Sequence, residues 1–119
     1  MTQPNNYRAI RFADVLLMAA EALNRGNIND VLALDYVNQV RSRAGLPDIN
    51  VSGSQLTDEI YRQRRLELVG EGHRFFDLVR TGRAAQQIEG FTAGKNEVFP
   101  IPLEEIQFSQ GNWEQNPNY

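Results

Sequence analysis

Residues 63–80, QRRLELVGEGHRFFDLVR, restrict the possible folds of this chain more than any other stretch. Leu66, Leu68, Phe75, Phe76, Leu78 and Val79 are threaded between Arg64, Arg65, Glu67, Glu71, Arg74, Asp77 and Arg80. A fully solvated helix has no use for so many large apolar side chains, and a fully buried one cannot carry so many unpaired ions. The segment therefore reads as a half-buried helix whose charges pair with each other and with nearby backbone. Gly70 and Gly72 each cost about 1 kcal/mol against alanine inside a helix. A kink or short break is expected there, ahead of a further helix over 74–80.

Upstream, two helices follow from apolar spacing. Residues 10–25 place Phe12, Val15, Leu16, Ala19, Ala22 and Leu23 on one expected face. Gly26 is the expected left-handed cap. Asn29 or Asp30 then opens a second helix with Val31, Leu34, Val37 and Val40. It should stop at Gly45, Leu46 and Pro47. So short a connection predicts an antiparallel hairpin. Residues 48–55 read as loop, and Thr57 as the cap of a third helix carrying Ile60, Arg64 and Leu68 at i, i+4. Beyond Gly82, one short helix is expected over 83–89, then a turn-rich loop, then extended chain through Glu97, Val98 and Phe99. Pro102 suits the start of a helix over 103–108. The polar tail is expected to be irregular, held back onto the helices by Trp113 and Tyr119. The fold class is thus all-α: a helix hairpin, a kinked charged helix and a largely irregular C-terminal third. At 119 residues this is one domain with its own core.

Several function classes are disfavoured. A net charge of −3 offers no basic surplus for nucleic acid. No apolar run is long enough to span a bilayer, and the first residues, MTQPNNY, lack the basic and apolar regions of a signal peptide. They read as an arbitrary start, as in a piece of something longer. With no cysteine and a single histidine, His73, neither a thiolate nor a histidine metal site is expected. Glu67 and Glu71 lie one turn apart on one helix, whereas glycosidase carboxylates face each other across a sugar. No nucleophile, base or cofactor loop is legible, so no enzyme activity and no cofactor are expected. The ion series Glu67, Glu71, Arg74, Asp77 and Arg80, with Arg64 and Arg65, is read as a structural network on one helical stripe. On that reading Arg74→Ala should be severely destabilising. Trp113 is the one aromatic placed to stack on a sugar or to anchor the tail.

Four blocks carry a family resemblance: RFADVLLMAAEALN (11–24), VNQVRSRAGLP (37–47), RRLELVGEGHRFFDLVR (64–80), and VFPIPLEEI (98–106) with the closing QNPNY (115–119). In this order they resemble the C-terminal region of the SusD/RagB family, nutrient-binding outer-membrane lipoproteins of Bacteroidetes. The family usually has Glu where Gln63 stands, a bulky residue at Gly70, and Asn-Pro-Gly-Tyr at the close. Asn118 is the next-best residue for a left-handed turn there. The resemblance implies tetratricopeptide-like helix pairs. It also implies surface exposure on the outer membrane through an N-terminal lipid anchor absent from this chain. The implied partners are a SusC-like TonB-dependent transporter and an oligosaccharide or other nutrient bound by the full-length protein. The 119 residues are then mainly its structural C-terminal portion. The competing reading is a small helical protein–protein interaction module, which would bind a peptide or protein and no sugar.

Overall fold

The structure, a computed structural model, describes residues 9–119, and all regular secondary structure among them is helical. Two compact units divide between His73 and Arg74.

In the first unit, α1 (Phe12–Arg25) and α2 (Asp30–Arg43) form a hairpin on which α3 (Gly53–Glu67) packs. The core is Leu17 and Ala20 from α1, Ala33, Val37 and Val40 from α2, and Leu56 and Ile60 from α3. Ile49 and Val51, in the segment before α3, pack against it. The expected apolar face of α1 is displaced. Leu17 and Ala20 are fully buried, whereas Phe12 is 72% exposed and Val15 44%. Of the expected face, Leu16 and Leu23 do pack against the core, while Phe12, Val15 and Ala22 lie on the outer side. Likewise Val31 of α2 is 80% exposed while Ala33 is buried.

Caps explain where the helices stop. Asn29 caps α2, its side chain accepting from the Leu32 amide at 3.0 Å. At the other end Gly45 takes φ 73°, letting the Leu46 amide reach Arg41 O and the Gly45 amide reach Ser42 O, both at 3.0 Å. This is a Schellman closure. Gly26 is not left-handed: its φ is −75°, and Asn27 takes the positive value, 52°. Glycine is needed at 26 for space, because a Cβ there would sit 2.7 Å from Ala22 O. Gly26→Ala is therefore expected to cost about 1–3 kcal/mol as an overpacked contact. At an open site with this φ the same change would gain about 0.4–1 kcal/mol. A denaturant midpoint at or above wild type would refute the steric account.

Thr57 does not cap α3, which starts a full turn earlier, at Gly53. The cap comes from another helix: Asp30 Oδ2 accepts from the Gly53 amide at 2.6 Å. Thr57 lies inside α3 and donates from Oγ1 to Asn24 Oδ1 at 2.5 Å. The charged helix breaks as expected, over residues 68–72, with Gly70 at φ 80° and Gly72 at φ 81°.

The second unit holds α4 from Arg74 onward (His73–Arg80), α5 (Ala84–Gln87) and α6 (Leu103–Phe108). Its buried apolar side chains among the described residues are Leu78 and Ala84. Residues 93–96 turn, as expected, and the turn runs on through Glu97, which was expected to be extended: the Asn96 side chain accepts from the Thr92 amide at 2.6 Å, and Glu97 Oε1 from the Gly94 amide at 2.9 Å. The tail is pinned to this loop. Gln115 bonds both backbone groups of Ile101, Asn116 reaches Phe99 O, and Tyr119 Oη donates to Val98 O at 3.0 Å. Asn118, at φ 66°, supplies the left-handed turn that the closing motif calls for.

Candidate functional site

The chemically dense region of the first unit lies where the start of α1 meets the end of α3. Arg11 directs its guanidinium at two carboxylates. Nε lies 2.9 and 3.0 Å from the two Glu71 oxygens, and Nη1 lies 2.5 Å from Glu67 Oε1. Nη2 also donates to the carbonyl of Glu67, a group left without an intrahelical partner at the end of α3. Arg43, at the end of α2, adds Nη2 at 2.6 Å from the same Glu67 Oε1. Glu67 thus ties three helix ends together. The bond from Arg11 holds the Glu71 carboxyl below the usual carboxylate range. Bonds to Glu71 and then Glu67 raise the Arg11 guanidinium further above its already high value.

Deeper in the unit, Arg64 Nη1 meets Asp14 Oδ1 at 2.8 Å, with both side chains almost fully buried. Arg41, also buried, donates to Glu59 at 3.0 Å and to Pro47 O at 3.0 Å. Asn24, Asp30, Gly53 and Thr57 form a further polar cluster joining all three helices.

Asp30 gives this unit an acid-sensitive joint. The Gly53 amide, then the Asn24 side chain, hold its carboxyl below the ordinary value. A depressed folded-state pKa contributes stability that is present above the unfolded pKa, about 3.9, and is lost as pH falls through the folded one. Glu71 has the same sign. Stability should hold from pH 7 to about 5 and decline below about 4. Asp30→Asn should make that decline shallower in urea titrations at each pH. An unaltered acid limb would exclude Asp30 as a contributor.

The residues singled out from sequence do not share one stripe, because the break at 68–72 separates them. Arg64, Glu67 and Glu71 turn towards α1 and α2. Arg65 is exposed. In the second unit Asp77 and Arg80 pair at 2.7 Å. Arg74 is exposed, with Nη2 3.3 Å from Gln87 Oε1. It is not the buried ion that the single-stripe reading required, and the severe cost expected for its loss belongs to Arg64 instead. Trp113 is 55% exposed, its amide donating to Ser109 Oγ at 3.0 Å. Phe75 meets Phe76 edge to face at 5.7 Å and Phe91 at 6.4 Å, while Phe76 is largely exposed.

Sequence reasoning missed Arg11, Asp14, Arg43 and Asp30. One signal was available: Asp14, Glu21 and Asn24 stand at core-side positions of an otherwise apolar helix, and a polar group there demands a partner. A groove of about 380 Å³ also opens beside Arg11, lined by Phe12, Ala13, Leu16, Val40, Gln39 and Arg43. Among the described residues no cluster of His, Asp or Glu is arranged to hold a metal ion, and no helix is long and apolar enough to cross a membrane.

Known proteins share both the sequence and the fold. The SusD family model matches residues 1–98. The SusD-like protein P2 of Formosa agariphila is 33% identical over 96% of this chain, which spans 26% of that protein. The same organism's SusD-like protein P38 is 42% identical over 68% of the chain. A crystal structure of a SusD homologue from Bacteroides thetaiotaomicron superposes with a TM-score of 0.82 at 35% identity, covering 92% of this chain and 25% of that one. A SusD-like protein from Bacteroides fragilis gives 0.83 at 28% identity. The chain therefore spans about a quarter of the length of these relatives.

Proposed function

Because the chain belongs to the SusD family, we propose that it is the C-terminal, mainly structural portion of a longer nutrient-binding protein. That protein captures an oligosaccharide or similar nutrient at the outer-membrane surface, where a lipid anchor outside these residues holds it. It passes the ligand to a SusC-like TonB-dependent transporter. The role is binding without catalysis. The observation that carries this reading is the family match over residues 1–98, together with a common fold at TM-scores near 0.8.

The ion chemistry supports a scaffold role. Glu67, Glu71 and Asp14, the carboxylates with the most elaborate surroundings, are each bound to guanidiniums that join helices. A carboxylate so engaged is a poor proton donor or nucleophile, because protonation or attack must first break a charge-assisted bond.

Antibody raised against these residues, applied to fractionated source cells, tests the proposal. The expected result is an outer-membrane band several-fold larger than 119 residues, co-purifying with a TonB-dependent transporter and retained by immobilised glycan. A band of only 119 residues in the soluble fraction would overturn it.

A further inference from the structure

Just past the end of α6 the backbone takes a conformation that glycine ordinarily supplies, yet the residue there is glutamine. Ser109 closes the helix, and Gln110 follows at φ 54°, ahead of Gly111 at φ 86°. A residue with a Cβ is disfavoured in this left-handed position, where glycine or asparagine is the usual choice. The turn is built around one hydroxyl. Ser109 Oγ donates to Ile106 O at 2.7 Å and accepts from the Trp113 amide at 3.0 Å. Asn112 Nδ2 donates to Ser109 O at 2.8 Å, and the Gln110 amide donates to Gln107 O at 3.1 Å. None of these bonds uses the side chains of Gln107, Gln110 or Trp113. All three residues are exposed, the tryptophan by 55%.

We propose that this turn is a saccharide site, in which the Trp113 indole stacks on the apolar face of a neutral sugar ring and the carboxamides of Gln107 and Gln110 bond its hydroxyls. The inference rests on the nutrient-binding reading, to which it adds a position and a ligand class. An exposed indole offers a flat apolar face with a donor at its edge. A carboxamide both donates and accepts, as a hydroxyl does, so the two pair in either sense. Charge narrows the class further. Residues 99–119 contain no Lys, Arg or His, while Glu104, Glu105 and Glu114 are exposed among them. A uronate, a sulfated sugar or a phosphate would meet like charge there and no counter-ion. The bonds at Ser109 fix the turn before a ligand arrives, which reduces the ordering that binding requires. Gln110 keeps an amide at a position where glycine would relax the backbone, and a side chain held against local stability points to a functional group.

Trp113 is the only tryptophan in the chain, so its emission reports on this turn alone. Titration with maltohexaose, cellohexaose and xylohexaose should give a saturable blue shift with at least one of them, and hexagalacturonate should give none. Gln110→Gly should leave Tm equal or higher while weakening that response about threefold or more, as the loss of one hydrogen bond does. A merely structural glutamine would not separate the two readouts. Trp113→Ala, followed by retardation in native gels containing the matching polysaccharide, should abolish retention, and Trp113→Phe should keep part of it. No shift with any of the neutral hexaoses overturns the site and leaves the family role standing, which the size and fractionation of the source product test separately. An equal response to hexagalacturonate overturns the ligand class. A response to choline chloride in place of the hexaoses gives the indole to a cation and overturns the proposal. So does a Gln110→Gly variant that responds as wild type does.

Discussion

Arg64→Ala is expected to remove about 3–5 kcal/mol from the stability of the first unit, because it strands the Asp14 carboxylate inside the helix interface. The two side chains are 5% and 6% exposed and meet at 2.8 Å, joining α1 to α3 across fifty residues of sequence. An exposed ion that loses its partner regains water, and exposed pairs are worth only about 0–1 kcal/mol. Asp14 has no such recourse. For a unit of this size each kcal/mol shifts Tm by about 4–8 °C, so a drop of more than about 12 °C is expected. Replacing both partners, Asp14→Leu with Arg64→Met, should restore most of the loss, since apolar pairs of similar volume often match buried ion pairs. Arg74→Ala, on an exposed side chain, should move Tm far less. An unchanged Tm for Arg64→Ala, or a double variant no better than the single one, would contradict this account.

That contrast marks where the sequence was legible and where it was not. Features decided within a few residues could be read directly: the hairpin, a cap at Asn29 or Asp30 that falls to Asn29, the closure at Gly45, the break at Gly70 and Gly72, and α6. Features decided by distant partners could not. Arg64 and Arg74 look equivalent in a charged helix, and only Asp14, fifty positions away, puts Arg64 into a buried ion pair. The start of α3 was misplaced for the same reason. Local rules favour Thr57 as a cap, but the Asp30 carboxylate arrives from α2 and caps Gly53 instead. The expected extended run at Glu97 and Val98 gave way to side-chain bonds that tighten the preceding turn. The tail was expected to be held by aromatic residues against helices. It is held chiefly by Gln115, Asn116, Asn118 and the Tyr119 hydroxyl on loop carbonyls.

The two faces of α1 give the second large effect. Leu17→Ala is expected to cost about 2–5 kcal/mol, because a fully buried leucine leaves both lost transfer energy and a cavity. Phe12→Ala removes a larger side chain, yet with 72% of it in water the expected change is within about 0.5 kcal/mol. The order is the reverse of what residue size alone dictates, and of what the spacing of apolar residues implies for α1. Urea unfolding of the 119-residue chain measures both. A Phe12→Ala loss comparable to that of Leu17→Ala would mean the outer side of α1 is packed in the 119-residue chain.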